Sequence, residues 1–300
     1  MTCLPISFLR RLAGLFAAFL LPLALLAACS KAPEQPEPSP ALWEITGPQG
    51  QHGYLFGTVH SLPKGYRWRT DALDRAFSSS DRLMVEVNLA TQGRAIAQIF
   101  TGLSRTPGLP PLSSRLAGQD QADLRQAMKA KGLSDKDFAG MESWAAALVL
   151  AQAYDGDDDG EGVDLSLIKA AGKRRVIELE GPEPQLRLFD ALPEERQRAL
   201  LASVAREALH GEDASDGRLM DWLTGNTAAL EKETQEGMLA DPGLREALLL
   251  SRNRAWSGKI ARELDRGGTL FIATGAAHMV GREGLAALLA ERGYEVKRVQ

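Results

Sequence analysis

The chain has 300 residues, 44% hydrophobic and 25% charged, with a formal net charge of −4. That length is ample for a buried core in one large domain or two small ones. The acidic balance argues against nucleic-acid binding, which leaves a basic patch as its footprint. With only Cys3 and Cys29 present, there is little scope for a disulfide framework, a thiolate metal centre or a cysteine nucleophile.

The first 28 residues read as an export signal. Arg10 and Arg11 supply a positive start, Leu12 to Leu26 an apolar run, and Leu26-Ala27-Ala28-Cys29 a small-residue cleavage site similar to the bacterial lipobox. The apolar run is short for a permanent membrane span, which needs about 20 residues. Cleavage would remove two positive charges and no negative one, so the mature chain would carry −6. Lipidation would fall on Cys29 and anchor the protein to a membrane. Ser30 in the next position favours the outer membrane, with the domain facing the periplasm. Residues 29–41 hold four prolines and read as an extended tether.

The remaining residues, 42–300, are expected to form a single α/β domain. Leu42 to Thr46 and Tyr54 to Val59 flank a Gly-Pro-Gln-Gly turn and predict an antiparallel hairpin. A short helix over Arg69 to Ser79 leads to a strand at Arg82 to Val87. Helical spacing follows over Ser114–Lys131 and Met141–Ala153, with a buried-type strand at Arg174 to Leu179. Helices are expected over Pro193–Leu209, Asp216–Thr234 and Leu244–Leu264. Thr269 to Thr274 is a continuous apolar run suited to a fully buried strand. A helix at Gly284–Glu291 and a closing strand at Tyr294–Val299 complete the chain. Strands alternating with helices predict a mixed, largely parallel sheet covered by helices, with a large helical section in the middle.

Two of the four histidines share a context: Gly57-Thr58-Val59-His60 and Gly275-Ala276-Ala277-His278 each follow an apolar strand. Ligands of open α/β sheets sit beyond the carboxyl ends of strands, and a glycine there lets a ligand or another backbone approach. A neutral imidazole so presented is a metal ligand or a general base. The alternative is two unrelated turn histidines bonded to backbone. Glu86 interrupts an apolar strand, where a carboxylate is costly to bury unpaired. It either points to solvent or completes a two-His, one-carboxylate metal site. Glu178 and Glu180 flank Leu179 at a strand end, and Arg252 and Asn253 lie in a long helix; an arginine there would orient a carboxylate or an anion. His52 and His210 read as a turn residue and a helix-end residue without catalytic role. Asp155 to Gly160 imitates half of a calcium loop, but its twelfth position is Ser166 where a glutamate is required.

The stretches Leu55–Pro63 (LFGTVHSLP), Val85–Val87, Gly162–Asp164, Glu178–Glu180, Arg252-Asn253 and Ile272–Val296 (IATGAAHMVGREGLAALLAERGYEV) together resemble the TraB/GumN family. That family is similar to the Tiki-like membrane-tethered metallopeptidases and the ChaN-like haem-binding lipoproteins. The resemblance implies a metal-dependent hydrolase, a peptidase first, acting on a peptide or small-molecule substrate. His60, His278 and Glu86 would hold a divalent zinc, manganese, cobalt or iron ion, and Glu180 or Arg252 would assist catalysis. The alternative it implies is a non-catalytic envelope protein binding haem or another ligand.

Overall fold

β1 (Leu42–Thr46) and β2 (His52–Thr58) pair antiparallel, with Leu42 opposite Phe56 and Thr46 opposite His52. The computed structural model of the chain describes residues 35–154 and 159–300. The signal segment, Cys29 and residues Asp155–Asp158 of the acidic loop lie outside the described residues. His52 stands at the start of β2, not in the turn, with Nε2 2.8 Å from Glu44 Oε1 on the neighbouring strand.

Six strands make one sheet in the order β6-β4-β7-β2-β1-β8. β4 (Arg82–Val85), β6 (Arg175–Glu178) and β7 (Thr269–Gly275) run parallel to β2, while β8 (Glu295–Arg298) is antiparallel to β1. The expected largely parallel sheet with an N-terminal hairpin is therefore the observed one. β7 sits between β4 and β2 and is buried from Leu270 to Thr274, which explains its unbroken apolar run. A separate antiparallel pair joins β3 (Leu62–Pro63) to β5 (Asp159–Gly160).

Two hydrophobic cores result. One lies around the sheet and gathers Leu55, Phe56, Met84, Phe271, Trp222 and Trp256. The other lies within the helical middle, where α3 (Gly118–Ala130) and α4 (Ser143–Tyr154) pack on α7 (Glu194–His210). Trp144, Leu150 and Leu201 are fully buried there. Burying side chains of this size stabilises by about 1.5–3 kcal/mol each. Among the described residues no helix is long and apolar enough to cross a membrane.

The departures from the expected elements have local causes. The helix expected over 216–234 is two, α8 (Glu212–Leu223) and α9 (Thr227–Glu233). Gly225 takes φ +68° between them, and Asn226 caps the second through the Ala229 N–H. The helix expected over 244–264 starts as α10 (Pro242–Arg245), widens into a π turn at Glu246–Leu250 and continues as α11 (Ser251–Leu264). Pro193 precedes the first turn of α7 instead of occupying it. The helix α1 (Asp71–Ser78) forms as expected. The helices α2 (Leu89–Leu103), α5 (Val163–Ala170) and α6 (Pro182–Asp190) were not individually delimited by sequence pattern. A last helix, α12 (Leu285–Glu291), precedes β8. The end of the tether is not free: Gln35 exchanges two hydrogen bonds with the Arg67 backbone, and the Ser39 N–H donates to Leu223 O.

Candidate active site

Four parallel strands end on one edge of the sheet, and each is followed by a polar residue singled out in the sequence. His60 lies two residues beyond β2, Glu86 one beyond β4, Glu180 two beyond β6 and His278 three beyond β7. β-strand spacing had left open whether Glu86 faces solvent. It lies past the strand end, and its side chain is only 12% exposed. His60, Glu86 and His278 line a common cavity of ≈570 Å³, with Arg252, Gly275 and Trp222 among its other walls. The two Gly-x-x-His motifs thus converge. Gly57 is needed because a Cβ there would stand 2.9 Å from Ala276 Cα, in the turn that carries His278.

Arg252 organises the buried carboxylates. Its Nε and Nη2 grip Glu180 at 2.8 and 3.1 Å, and Nη2 also donates to Glu86 Oε2 at 2.7 Å. Nη1 donates to Leu248 O at 3.0 Å and to His278 Nε2 at 3.3 Å. All five guanidinium N–H groups are thereby engaged. Arg252 lines the cavity, and Glu180 stands behind it without lining the cavity. The guanidinium also stacks over Trp256, 4.4 Å from the ring centroid. Burial works against its charge, but Glu180 and Glu86 outweigh that and raise its pKa. Burial likewise pushes the Glu86 carboxyl up, yet His278, Arg252, His60 and the Gly275 N–H (2.8 Å from Oε1) bring it below its ordinary value. Glu86 is an anion. Glu178 is occupied elsewhere, accepting from the Asn88 N–H at 2.6 Å and from Gln92.

The two imidazoles differ. His278 is 6% exposed and packs 4.5 Å from the Trp256 ring. Asn253 donates its Nδ2 to Glu283 O, so its Oδ1 faces His278 Nδ1 at 2.6 Å. The hydrogen-bond pattern therefore assigns the proton to Nδ1 and leaves Nε2 as an acceptor. Burial depresses the pKa of His278 to about 4, and the ring is neutral at pH 7. His60 holds Nδ1 3.1 Å from Asp164 Oδ2, and its side chain is 71% exposed. The hydrogen bond to Asp164 raises its pKa. With Nδ1–H committed to Asp164, Nε2 has no hydrogen-bond partner among the described residues, and the ring lines the cavity.

Asp164 and Asn253, which hold the two imidazoles, are residues to which sequence pattern gave no role. Asp164 stands in the first turn of α5, brought there because the Val163 N–H donates to Val59 O at 2.9 Å. Gly162 permits this contact, since a Cβ would lie 2.2 Å from His60 O. The visible signal was the Gly-Val-Asp triplet. Asn253 was visible only as the neighbour of Arg252.

The donor chemistry of His60, His278 and Glu86 suits a divalent ion, but their placement does not close around one. Among the described residues no group of three His, Cys, Asp or Glu side chains is disposed to hold a metal. Glu86 Oε1 is 4.0 Å from His278 Nε2, and the Arg252 guanidinium touches both residues. These residues, as arranged, do not fit a three-ligand centre.

The depressed pKa of His278 couples the site to stability. In the unfolded chain the ring protonates at about 6.5, and in the fold at about 4. The folded state therefore binds fewer protons between those values. Its contribution, roughly 3 kcal/mol, is fully present above pH 6.5 and is lost as pH falls toward 4. Urea titrations of wild type and His278→Gln between pH 7 and pH 4 are expected to show a steeper loss in wild type. Parallel curves would contradict the assignment.

The fold and this strand-end site define an α/β protein with polar residues gathered beyond the carboxyl ends of its parallel strands. The chain belongs to the TraB/PrgY/gumN family, whose model matches residues 41–298. It is similar to a protein of Shigella flexneri called "Uncharacterized protein YbaP", 27% identical over 252 residues that cover 82% of this chain and 90% of the relative. The YbaP of Escherichia coli (strain K12) gives the same figures. An uncharacterized protein of Treponema pallidum (strain Nichols) is 25% identical over 312 residues, covering 94% of this chain and 91% of the relative. No solved structure matches.

Proposed function

We propose that this protein is a hydrolase of the cell envelope, tethered through lipid on Cys29, that cleaves amide bonds in peptides. The observation that carries the reading is the Asp164–His60 pair, whose free Nε2 opens on a cavity shared with Glu86 and His278. In this reading His60 Nε2 takes a proton from water as its oxygen attacks the carbonyl carbon. Asp164 stabilises the imidazolium, which then returns the proton to the leaving nitrogen. Glu86 and neutral His278, fixed by Arg252 and Asn253, give the reacting groups a rigid polar floor.

The shape of the surface favours a polypeptide over a compact ester. A second cavity of ≈740 Å³ shares Arg218, Glu233 and Ala277 with the first. The two adjoin, and together they offer more room than a compact substrate needs.

A second reading keeps the divalent ion. The Nε2 atoms of His60 and His278 would serve it alongside Glu86 if Arg252 withdrew from both that carboxylate and His278. Such an ion supplies Lewis-acid polarisation of a carbonyl. A third, haem binding, would use His60, the imidazole open to solvent.

The experiment is hydrolysis of a fluorogenic peptide library by the purified full chain, with metal content measured on the same samples. His60→Ala is expected to abolish cleavage and His52→Ala to leave it intact. One metal per chain in wild type, absent in His60→Ala and His278→Ala, favours the second reading. A shifted haem absorption band that His60→Ala lacks favours the third. Cleavage unaffected by His60→Ala overturns the hydrolytic account.

A further inference from the structure

Behind His60 the cavity continues into a smaller chamber of ≈220 Å³, lined among others by Thr58, His60, Val85, Glu86, Asp164 and Gln185. Thr58 is 2% exposed, and its hydroxyl has no hydrogen-bond partner. A buried hydroxyl left without a partner costs about 1–3 kcal/mol, so the chamber is built for an occupant that bonds to it. Asp164 spends Oδ2 on His60 and has no bond to Oδ1 among the described residues. Gln185 adds an amide oxygen. Glu86 keeps a lone pair on each oxygen after accepting from Arg252 and Gly275. Among the described residues two carboxylates line the chamber and no lysine or arginine does; Arg252 meets Glu86 from outside it. Such a wall is rich in acceptors and negatively charged.

We propose that this chamber is a subsite for a primary ammonium group, the free α-amino terminus of a peptide. It rests on the hydrolytic reading of the same cavity. An ammonium carries three donors and one positive charge, which matches Thr58 Oγ1, Asp164 Oδ1 and a third oxygen from Glu86 or Gln185. Val85, Val87 and Ala273 leave an apolar wall for a small first side chain. An amine seated there sets the first peptide bond beside His60. Cleavage then releases one amino acid: the C–N bond breaks, the water oxygen joins the carbonyl carbon, and the water proton reaches the leaving nitrogen through His60.

Binding of L-alaninamide and N-acetyl-L-alaninamide to the full chain at pH 7, followed by calorimetry, tests the subsite without turnover. The free amine is expected to bind at least about tenfold more tightly than its acetylated form. Thr58→Val is expected to lose about tenfold of that affinity and Thr58→Ser to keep it, as removal of one hydrogen bond implies. Equal binding of the two amides, no binding of either, or a divalent ion that occupies the chamber and is lost in Thr58→Val overturns the proposal. The 4-nitroanilides of L-alanine and N-acetyl-L-alanine separate it from the reading it rests on. Selective amine binding without hydrolysis of either anilide keeps the subsite and removes the hydrolase.

Discussion

Replacing Arg252 by leucine is expected to destabilise the protein by about 3–5 kcal/mol, the range seen when one member of a buried ion pair is removed. Glu86, Glu180 and Arg252 are each 12% exposed at the side chain. Loss of the guanidinium strands two carboxylates in a weakly solvated pocket. It also removes the stacking partner of Trp256 and the donor facing His278 Nε2. Lysine is not expected to rescue the fold fully, because a single ammonium cannot grip Glu180 through two parallel bonds while reaching Glu86. In the leucine variant the effect of burial on the Glu86 carboxyl is no longer offset by Arg252, so its pKa rises and the variant regains stability as pH falls and that acid protonates. Denaturant midpoints across pH measure this. An unchanged midpoint at pH 7 would mean that Arg252 does not hold the carboxylates together.

The second large effect concerns Asp164. Asparagine in its place keeps the volume but accepts from His60 through a neutral oxygen. The proton acceptor at Nε2 then loses the anion that stabilises its protonated form. The rate of peptide cleavage is expected to fall about 10²–10⁴-fold, the usual contribution of a positioned base. The pKa of His60, raised in the wild type by Asp164, moves down. On the proposed hydrolytic reading the neutral base is present in wild type only above that raised pKa, so cleavage is expected to increase as pH rises through it. In the variant the same limb appears at lower pH with a smaller plateau. Stability changes little, since the His60 side chain is mostly exposed. A variant with the wild-type rate and limb would remove His60 from the role of base.

Much of this was legible in the residues, and the reasons for the remainder are physical. The apolar run at Leu270–Ala273 announced a central strand and the alternation at Tyr294–Val299 the closing strand at the sheet's edge, because burial on two faces or one writes different periods. The repeated Gly-x-x-His announced a pair of strand ends. Glu86 was ambiguous because alternation has no meaning one residue beyond a strand, where the chain turns. The π turn at Glu246–Leu250 changes the phase of the helix just before Arg252, and a 3.6-residue period does not register it. Asp164 was hidden because its partner is 104 positions away, brought close by the contact between Val59 and Val163 and the short β3–β5 pair. Arg252 was expected to act on an anion or carboxylate. Its two carboxylates come from different strands, a pairing that spacing does not reveal.

Titration of ¹⁵N-labelled imidazoles by NMR reads the central claim directly, with no substrate required. The account predicts that His278 stays neutral with its proton on Nδ1 down to about pH 4. It also predicts that His60 titrates above 6.5 in wild type and lower in Asp164→Asn. Two rings that both titrate near 6.5, unchanged by that substitution, would contradict it.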